Sequence, residues 1–470
     1  MKKNLFMVAA VALMAMVSCN KEEIGNSGVQ AGAASNIVFS AELEQPGAPA
    51  AEQTPAEAQT KTSLGTTTGD VTSVNWVAGD KVKINGVEFS ATESGTRTDF
   101  TTTASFTEAE TYYAVYPATA AGAADHSTVT IPASQKGTFA EAAISVAKSN
   151  TQSLHFKNVA SIIKFRVPAA ASKVTITSSD DLAGTFSVTF ENGLPKIGTV
   201  TSASKTITVT ASFQANTDYY VAVLPGDKSN LIVSIDGYHS KTSKSSVAPT
   251  RASMLNLQTL PAKTASSWKI LGGYNSWSWT NGTQMYNEGL VVVKNVKLSE
   301  QNNRAFKFCF NNWSGQIGAY GGNDSKADHQ AKLGEWYGSE YNSDSFKADF
   351  VLPDYNKFYD VYIDVDAADV WFAEAGSNAP TVWYVNGIDG EWGKGIGMVG
   401  ENDCFAARNV TVNNDCSFKF SSRNGTWIGG GTLKDGEYVS TGGNNISITK
   451  GTYNIFLNSD RNKFMVQKIK

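Results

Sequence analysis

The chain has 470 residues, enough for two to four domains of ordinary size. Its 39 basic and 43 acidic side chains nearly balance, with no basic patch, which argues against a nucleic-acid partner. Thr, Ser, Gly, Val and Asn are plentiful and stretches of helical period are few, so an all-β protein is expected.

The first eighteen residues read as a signal peptide. Lys2-Lys3 gives a positive start, and the apolar run Leu5 to Met16 is too short to cross a bilayer as a stable helix. The segment ends Met16-Val17-Ser18-Cys19, the arrangement of a bacterial lipobox in which Cys19 becomes the lipidated N-terminus. An ordinary secretory signal with a chance cysteine is the alternative. Acyl chains contribute about 0.8 kcal/mol per buried CH₂, so a multiply acylated Cys19 would anchor the protein firmly. The following Asn20-Lys21-Glu22-Glu23 resembles the signal that sends some lipoproteins to the outer face of the outer membrane. Residues 19–35 have little to bury and are expected to be a flexible tether.

A strand is expected at Ile37-Val38-Phe39-Ser40-Ala41, then a disordered Pro/Ala-rich loop from Gln45 to Gln59. The alternation around Trp76, the Gly79-Asp80 turn and Val82-Lys83-Ile84 predict a hairpin. Tyr112-Tyr113-Ala-Val-Tyr116-Pro117 and Tyr219-Tyr220-Val-Ala-Val-Leu224-Pro225 read as equivalent strands of two successive subdomains, 36–150 and 151–260. Between them, Phe156 to Val167 is strand-rich, and Val174–Thr177 and Lys205–Val209 alternate as half-buried strands do.

The Val74-Asn75-Trp76, Gly79-Asp80 and Tyr113-Ala-Val-Tyr116-Pro117 pieces, with Asn158-Val-Ala-Ser-Ile-Ile-Lys-Phe165, resemble the fimbrillin-like lipoproteins. The resemblance implies two β-sandwich subdomains of transthyretin-like type over about Ile37 to Leu260. Such modules polymerise by adding a strand at an open sheet edge. Because this chain continues far beyond the pilin module, a spacer role is expected instead. Residues 261–267 form a polar linker expected to separate the halves cleanly.

The C-terminal half is a tandem repeat, divided as 268–379 and 380–470. Trp268-Lys-Ile-Leu-Gly272 returns 115 positions later as Trp383-Tyr-Val-Asn-Gly387. Trp277 answers to Trp392, Phe306-Lys307-Phe308 to Phe418-Lys419-Phe420, Trp313 to Trp427, and Tyr359–Ile363 to Tyr453–Leu457. Trp268 and Trp383 alternate with apolar residues and are assigned to the core. Trp277, Trp313, Trp392 and Trp427 sit in Gly/Asn/Ser-rich loops, where an exposed aromatic has a purpose. In each Phe-Lys-Phe strand the phenylalanines face the core, so Lys307 and Lys419 face the other way. Merely solvated lysines are the plain alternative. An aromatic covers the C–H face of a pyranose ring while Lys, Arg, Asn or Asp side chains bond its hydroxyls, so a polysaccharide is the expected ligand.

These features resemble the C-terminal starch-binding modules of the SusE/SusF group of outer-membrane lipoproteins. The resemblance implies two immunoglobulin-like β-sandwich modules that bind α-glucan without catalysis. By position, Trp277, Lys307 and Trp313 make the first site, and Trp392, Lys419 and Trp427 the second, with Arg423 adding a hydroxyl contact. An insertion in the first copy, Tyr320 to Ser345, carries Trp336-Tyr337 and either extends or covers its platform.

No cofactor or metal is expected, since His126, His155, His239 and His329 share no ligand spacing. Of Glu288, Asp349, Asp366 and Asp389, only Asp366 recurs in a shared motif, as Asp460, and in a turn between strands, so no two carboxylates are expected to pair across a cleft. Cys404 and Cys416 flank an expected hairpin, where a disulfide and two buried thiols are both open; Cys309 aligns with Ser421. The whole predicts a surface lipoprotein that captures polysaccharide beside an outer-membrane importer. A fimbria-associated adhesin or structural surface protein is the alternative.

Overall fold

A computed structural model describes residues 37–44, 63–68, 71–122, 128–243, 246–319, 330–342, 349–393, 395–402 and 404–469. The expected signal peptide, lipidated Cys19, tether and Gln45–Gln59 loop lie outside the described residues. The described chain is all-β, arranged as tandem units of several sheets. No helix among the described residues is long and apolar enough to cross a membrane.

The first unit is a closed barrel. Its strands run in the order Phe39–Leu43, Ser153–Asn158, Ser145–Ser149, Tyr112–Tyr116, Lys81–Ile84, Val87–Ala91 and Arg97–Thr101, and the last pairs with the first. Trp76 is fully buried inside it, meeting Phe100, Tyr116 and Phe156 edge-on at centroid distances of 5.0, 5.1 and 5.2 Å. Such pairs contribute about 0.5–1.5 kcal/mol each beyond area burial. The hairpin expected across Gly79-Asp80 does not form. The Trp76 backbone pairs with Gly95, so Val71–Asn75 pairs back to Ser63–Thr68 and Lys81–Ile84 forward to Val87–Ala91. The turn itself is present, with the Val77 N–H donating to the Asp80 carboxylate at 2.9 Å.

The run Phe156 to Val167 divides near Val159-Ala160. The strand before the break closes the barrel, and Ser161–Arg166 belongs to the second unit, paired with Asp218–Val223. Thr128–Ile131 and Ser134–Gln135 pair with Ala183–Glu191 and Thr206–Phe213. Strands thus interleave across position 150 instead of dividing there. The two Tyr-Tyr strands also differ in setting. Tyr112–Tyr116 has a neighbour on each side, whereas Asp218–Val223 is the edge of a three-stranded sheet.

The strands of the C-terminal half are numbered here from its start. The first copy contains β1 (Ala265–Gly272), β2 (Thr283–Glu288), β3 (Leu290–Val296), β4 (Ala305–Phe310), β5 (Gly315–Ala319), β6 (Trp336–Asn342), β7 (Phe350–Val351), β8 (Tyr359–Asp364) and β9 (Asp369–Glu374). The second contains β10 (Trp383–Asn386), β11 (Ile396–Glu401), β12 (Cys404–Val412), β13 (Cys416–Ser422), β14 (Trp427–Gly430), β15 (Tyr438–Gly442), β16 (Ile446–Ile448), β17 (Gly451–Asn458) and β18 (Lys463–Lys468). The first sheet runs β1-β2-β3-β8-β9-β6-β5-β4-β7 and the second β10-β11-β12-β17-β18-β15-β14-β13-β16. The orders are identical, and each sheet closes on itself, β1 on β4 and β10 on β13. Trp268 and Trp383 are buried, as are Phe306, Phe308, Phe418 and Phe420.

The linker 261–267 does not hold the halves apart. Ser240 donates to the Pro261 carbonyl at 2.7 Å, and the Lys263 ammonium lies 4.1 and 3.9 Å above the Tyr238 and Tyr286 rings. The second N-terminal unit also touches both copies. Its Asn230 bonds Asn409 and Asn454 at 2.5 and 2.6 Å, and the His239 N–H donates to Glu288 at 2.7 Å while its ring bonds Asn402 at 2.8 Å. The copies press together at Gly400, where a Cβ would stand 1.9 Å from the Glu288 carbonyl oxygen, so only glycine fits. A polar seam of this kind is invisible to hydrophobic patterning, because its residues look like ordinary surface.

Cys309, Cys404 and Cys416 are thiols with no disulfide among them. The expected 404–416 hairpin is absent: β12 pairs with β11 and β17, whereas β13 pairs with β10, β14 and β16. Cys309 is fully buried, and burial pushes its thiol up to about 12. The thiolate is the reactive form. Native protein is therefore expected to leave Cys309 unmodified by iodoacetamide at pH 8, with labelling only in denaturant; peptide mapping reads the difference.

Candidate functional site

The second copy shows the site most openly. Phe418 and Phe420 of β13 point into the core, which turns Lys419 and Ser421 outward. Lys419 stands opposite Asn386 of β10, and Ser421 lies between Tyr384 of β10 and Trp427 of β14. Residues directly opposite share a face, so Tyr384, Asn386, Lys419, Ser421 and Trp427 belong to one outer surface. Gly387 follows β10 with a left-handed φ of 101°, and a Cβ there would meet the Trp392 ring at 2.8 Å. Its bareness lets that indole lie against the backbone beside this face. Trp392 and Trp427 are 41% and 50% exposed, with centroids 6.4 Å apart and planes inclined by 42°.

The first copy repeats the construction with different surroundings. Trp277 and Trp313 are half-buried, with centroids 6.3 Å apart and planes inclined by 32°. Both are held in the left-handed region, at φ 55° and 71°, a conformation that costs a bulky residue roughly 1–3 kcal/mol and gathers at functional sites. Trp313 and Trp427 do not occupy equivalent strand positions. Phe308 pairs with Ile317 as Phe420 pairs with Ile428, so Gln316 takes the place of Trp427 and Trp313 comes from the preceding turn. The two ring pairs nevertheless converge on nearly one geometry.

The lysines differ. Lys307 is 9% exposed and lies 3.3 Å from the Asp349 carboxylate, so its outward direction does not bring it into solvent. The pairings of Phe306 with Phe350 and Phe418 with Ile446 put Asn445 where Asp349 stands. Lys419 is half-buried and has no ion-pair partner among the described residues. Beside it, the Asn386 amide donates to the Ser421 hydroxyl at 2.5 Å, both residues being buried. The first copy has Leu271 and Cys309 at these positions. Asn386 and Ser421 carry no signal in the sequence, since single small polar residues on the outward half of a strand alternation look like ordinary surface until the strands pair.

Arg423 departs from its expected hydroxyl contact. Its guanidinium pairs with Asp369 and, at 3.4 Å, with Asp364, and lies 4.2 Å over the Trp336 ring. All three partners belong to the first copy. Trp336 therefore sits at the junction between copies, and Tyr337 packs on Phe350 in the core at 5.6 Å. Neither extends nor covers the Trp277–Trp313 pair. Both belong to β6, the counterpart of β15, so this part of the expected insertion belongs to the repeat, while residues 320–329 and 343–345 lie outside the described residues.

The four acidic residues named in the sequence each have a polar partner. Glu288 pairs with Lys294 at 2.8 Å, Asp349 with Lys307, Asp366 with Arg461 at 2.5 Å, and Asp389 accepts from the Asn413 and Asn414 N–H groups at 2.9 and 3.0 Å. Among the described residues no group of three His, Cys, Asp or Glu side chains is placed to hold a metal ion.

No family model and no curated protein matches the chain. Three solved structures show similarity. A candidate cell adhesion protein of Bacteroides ovatus aligns at 14% identity and TM-score 0.27, over 39% of this chain and 83% of that one. Another, of Bacteroides uniformis, aligns at 16% and 0.29, over 40% and 88%. SusF of Bacteroides thetaiotaomicron aligns at 13% and 0.17, over 67% of this chain and 77% of that one. TM-scores of this size assign no family.

Proposed function

We propose that the C-terminal half is a non-catalytic carbohydrate-binding unit with two aromatic platforms. The observation that carries this reading is the twofold occurrence of a tryptophan pair at 6.3 and 6.4 Å, inclined by 32° and 42°. A flat ligand would need one ring. Two rings at an angle suit adjoining residues of a curved chain, as in a helical α-glucan of starch type. The indoles cover the C–H faces of successive pyranoses, and at the second site Lys419 donates to the hydroxyl rim.

Such sites are individually weak, and two on one chain gain by effective concentration once a polymer spans both. We propose further that a lipid on Cys19 holds the protein at the cell surface, where captured polysaccharide is handed to an outer-membrane importer. The N-terminal units then act as a spacer.

Affinity electrophoresis of the purified chain in gels containing starch, other α-glucans and β-glucans tests the reading. Retardation by an α-glucan is expected, reduced in steps as each tryptophan pair is removed. Unaltered migration in every polysaccharide gel would overturn it and favour an adhesive role.

A further inference from the structure

Trp427 enters the second site from a turn that the first copy grips. Ser422 to Thr426 form this turn, closed by Ser422 N–H to Thr426 carbonyl at 2.8 Å and by Thr426 N–H to the Ser422 hydroxyl at 3.0 Å. Arg423 is its second residue. Its own N–H donates to the Val382 carbonyl at 2.9 Å, which fixes the base of the turn to the start of β10.

The Arg423 side chain then crosses to the other copy. It meets the Asp364 and Asp369 carboxylates at the two ends of the β8–β9 turn, and it lies on Trp336, which packs against Trp371 at 5.6 Å. Arg423, Asp364 and Asp369 have side chains only 17%, 15% and 19% exposed. A charge-assisted, planar contact in so little water has one favoured geometry. Next to it Arg461, from the β17–β18 turn, reaches Asp366 at 2.5 Å.

We infer that Arg423 is a positioning residue through which the first copy sets the pose of Trp427, so the second platform is complete only when the first copy is docked. The inference rests on the glycan-binding reading for its functional consequence, but not for the mechanical one. Three residues separate Arg423 from Trp427, and the turn between them is closed by its own hydrogen bonds. Freed from Asp364 and Asp369, the turn loses its only ionic tether among the described residues. Trp427 then samples orientations other than the 42° inclination to Trp392. The first platform has no such dependence, because among the described residues no ion pair ties the turns bearing Trp277 and Trp313 to the second copy.

The test uses the full chain with D364N and D369N combined, which removes both carboxylates without touching either platform. Amide exchange read by mass spectrometry is expected to rise about tenfold over residues 422–428, with Phe418 and Phe420 unchanged. In a W277A/W313A background, which leaves only the second site, glucan Kd is expected to rise about fivefold to tenfold. In a W392A/W427A background the same aspartate changes leave Kd unaltered. R423K, which keeps the charge but not the planar fork, is expected to restore only a small part of the affinity that R423Q loses. D364N alone guards against a folding defect, since Asp369 remains to hold Arg423. Unchanged exchange over 422–428 in the double variant overturns the inference even if glucan binds. Absence of glucan binding by the unaltered chain sinks the proposed function instead, and the exchange result then decides this point alone.

Discussion

With Trp392 and Trp427 both replaced by alanine, binding at the second site is expected to fall by roughly seventyfold. Indoles that together cover on the order of 100 Å² of apolar surface contribute about 2.5 kcal/mol at about 25 cal/mol per Å². The loss should be confined to binding, because the rings are 41% and 50% exposed and hold little of the core together. The matching W277A/W313A change removes half-buried rings, so it is expected to lower the thermal midpoint as well as affinity. Isothermal titration with a soluble maltooligosaccharide, beside a melting curve, separates the two effects. An unchanged Kd for W392A/W427A would remove this face from consideration.

The largest stability effect is expected where the second copy meets the second N-terminal unit. Arg408 donates to both Glu401 carboxylate oxygens, at 2.8 and 2.5 Å, with side chains 13% and 11% exposed, and lies 5.1 Å over Phe456. Replacing Arg408 by Met leaves the Glu401 carboxylate buried without its main partner, which costs about 3–5 kcal/mol. His239 lies 3.7 Å away, and burial holds its imidazole below the ordinary histidine range. Adding E401L to R408M is expected to recover most of the loss, since the cost lies in the stranded charge and not in the missing attraction. Urea midpoints of the two variants read this directly. Equal midpoints for the single and double variants would show that the charge is not stranded.

Much of the C-terminal half was legible because a repeat carries its own check. Two residues with one spacing in two copies have one structural role, which is why Trp268 and Trp383 were correctly assigned to the core while the loop tryptophans were set apart. The lysines were less legible. Strand alternation gives their direction, but Lys307 and Lys419 differ in burial because Asp349 and Asn445, far along the chain, stand beside them. Arg423 was misplaced for a related reason. Nearness in sequence to Trp427 suggested a shared ligand, whereas its partners Asp364 and Asp369 come from the preceding copy.

The all-β class, the duplication and the tryptophans that avoid the core could be read from the chain alone, because composition, repetition and two-residue periodicity act locally. The remaining features arise from contacts between distant segments. Whether Val71–Asn75 pairs forward or back, where the two N-terminal units interleave, and that Trp313 and Trp427 reach one geometry from different strand positions all depend on long-range pairing. The same holds for the buried seam of Glu288, His239, Glu401 and Arg408. Polar residues at such a seam are indistinguishable from solvated ones until the surface that covers them is in place.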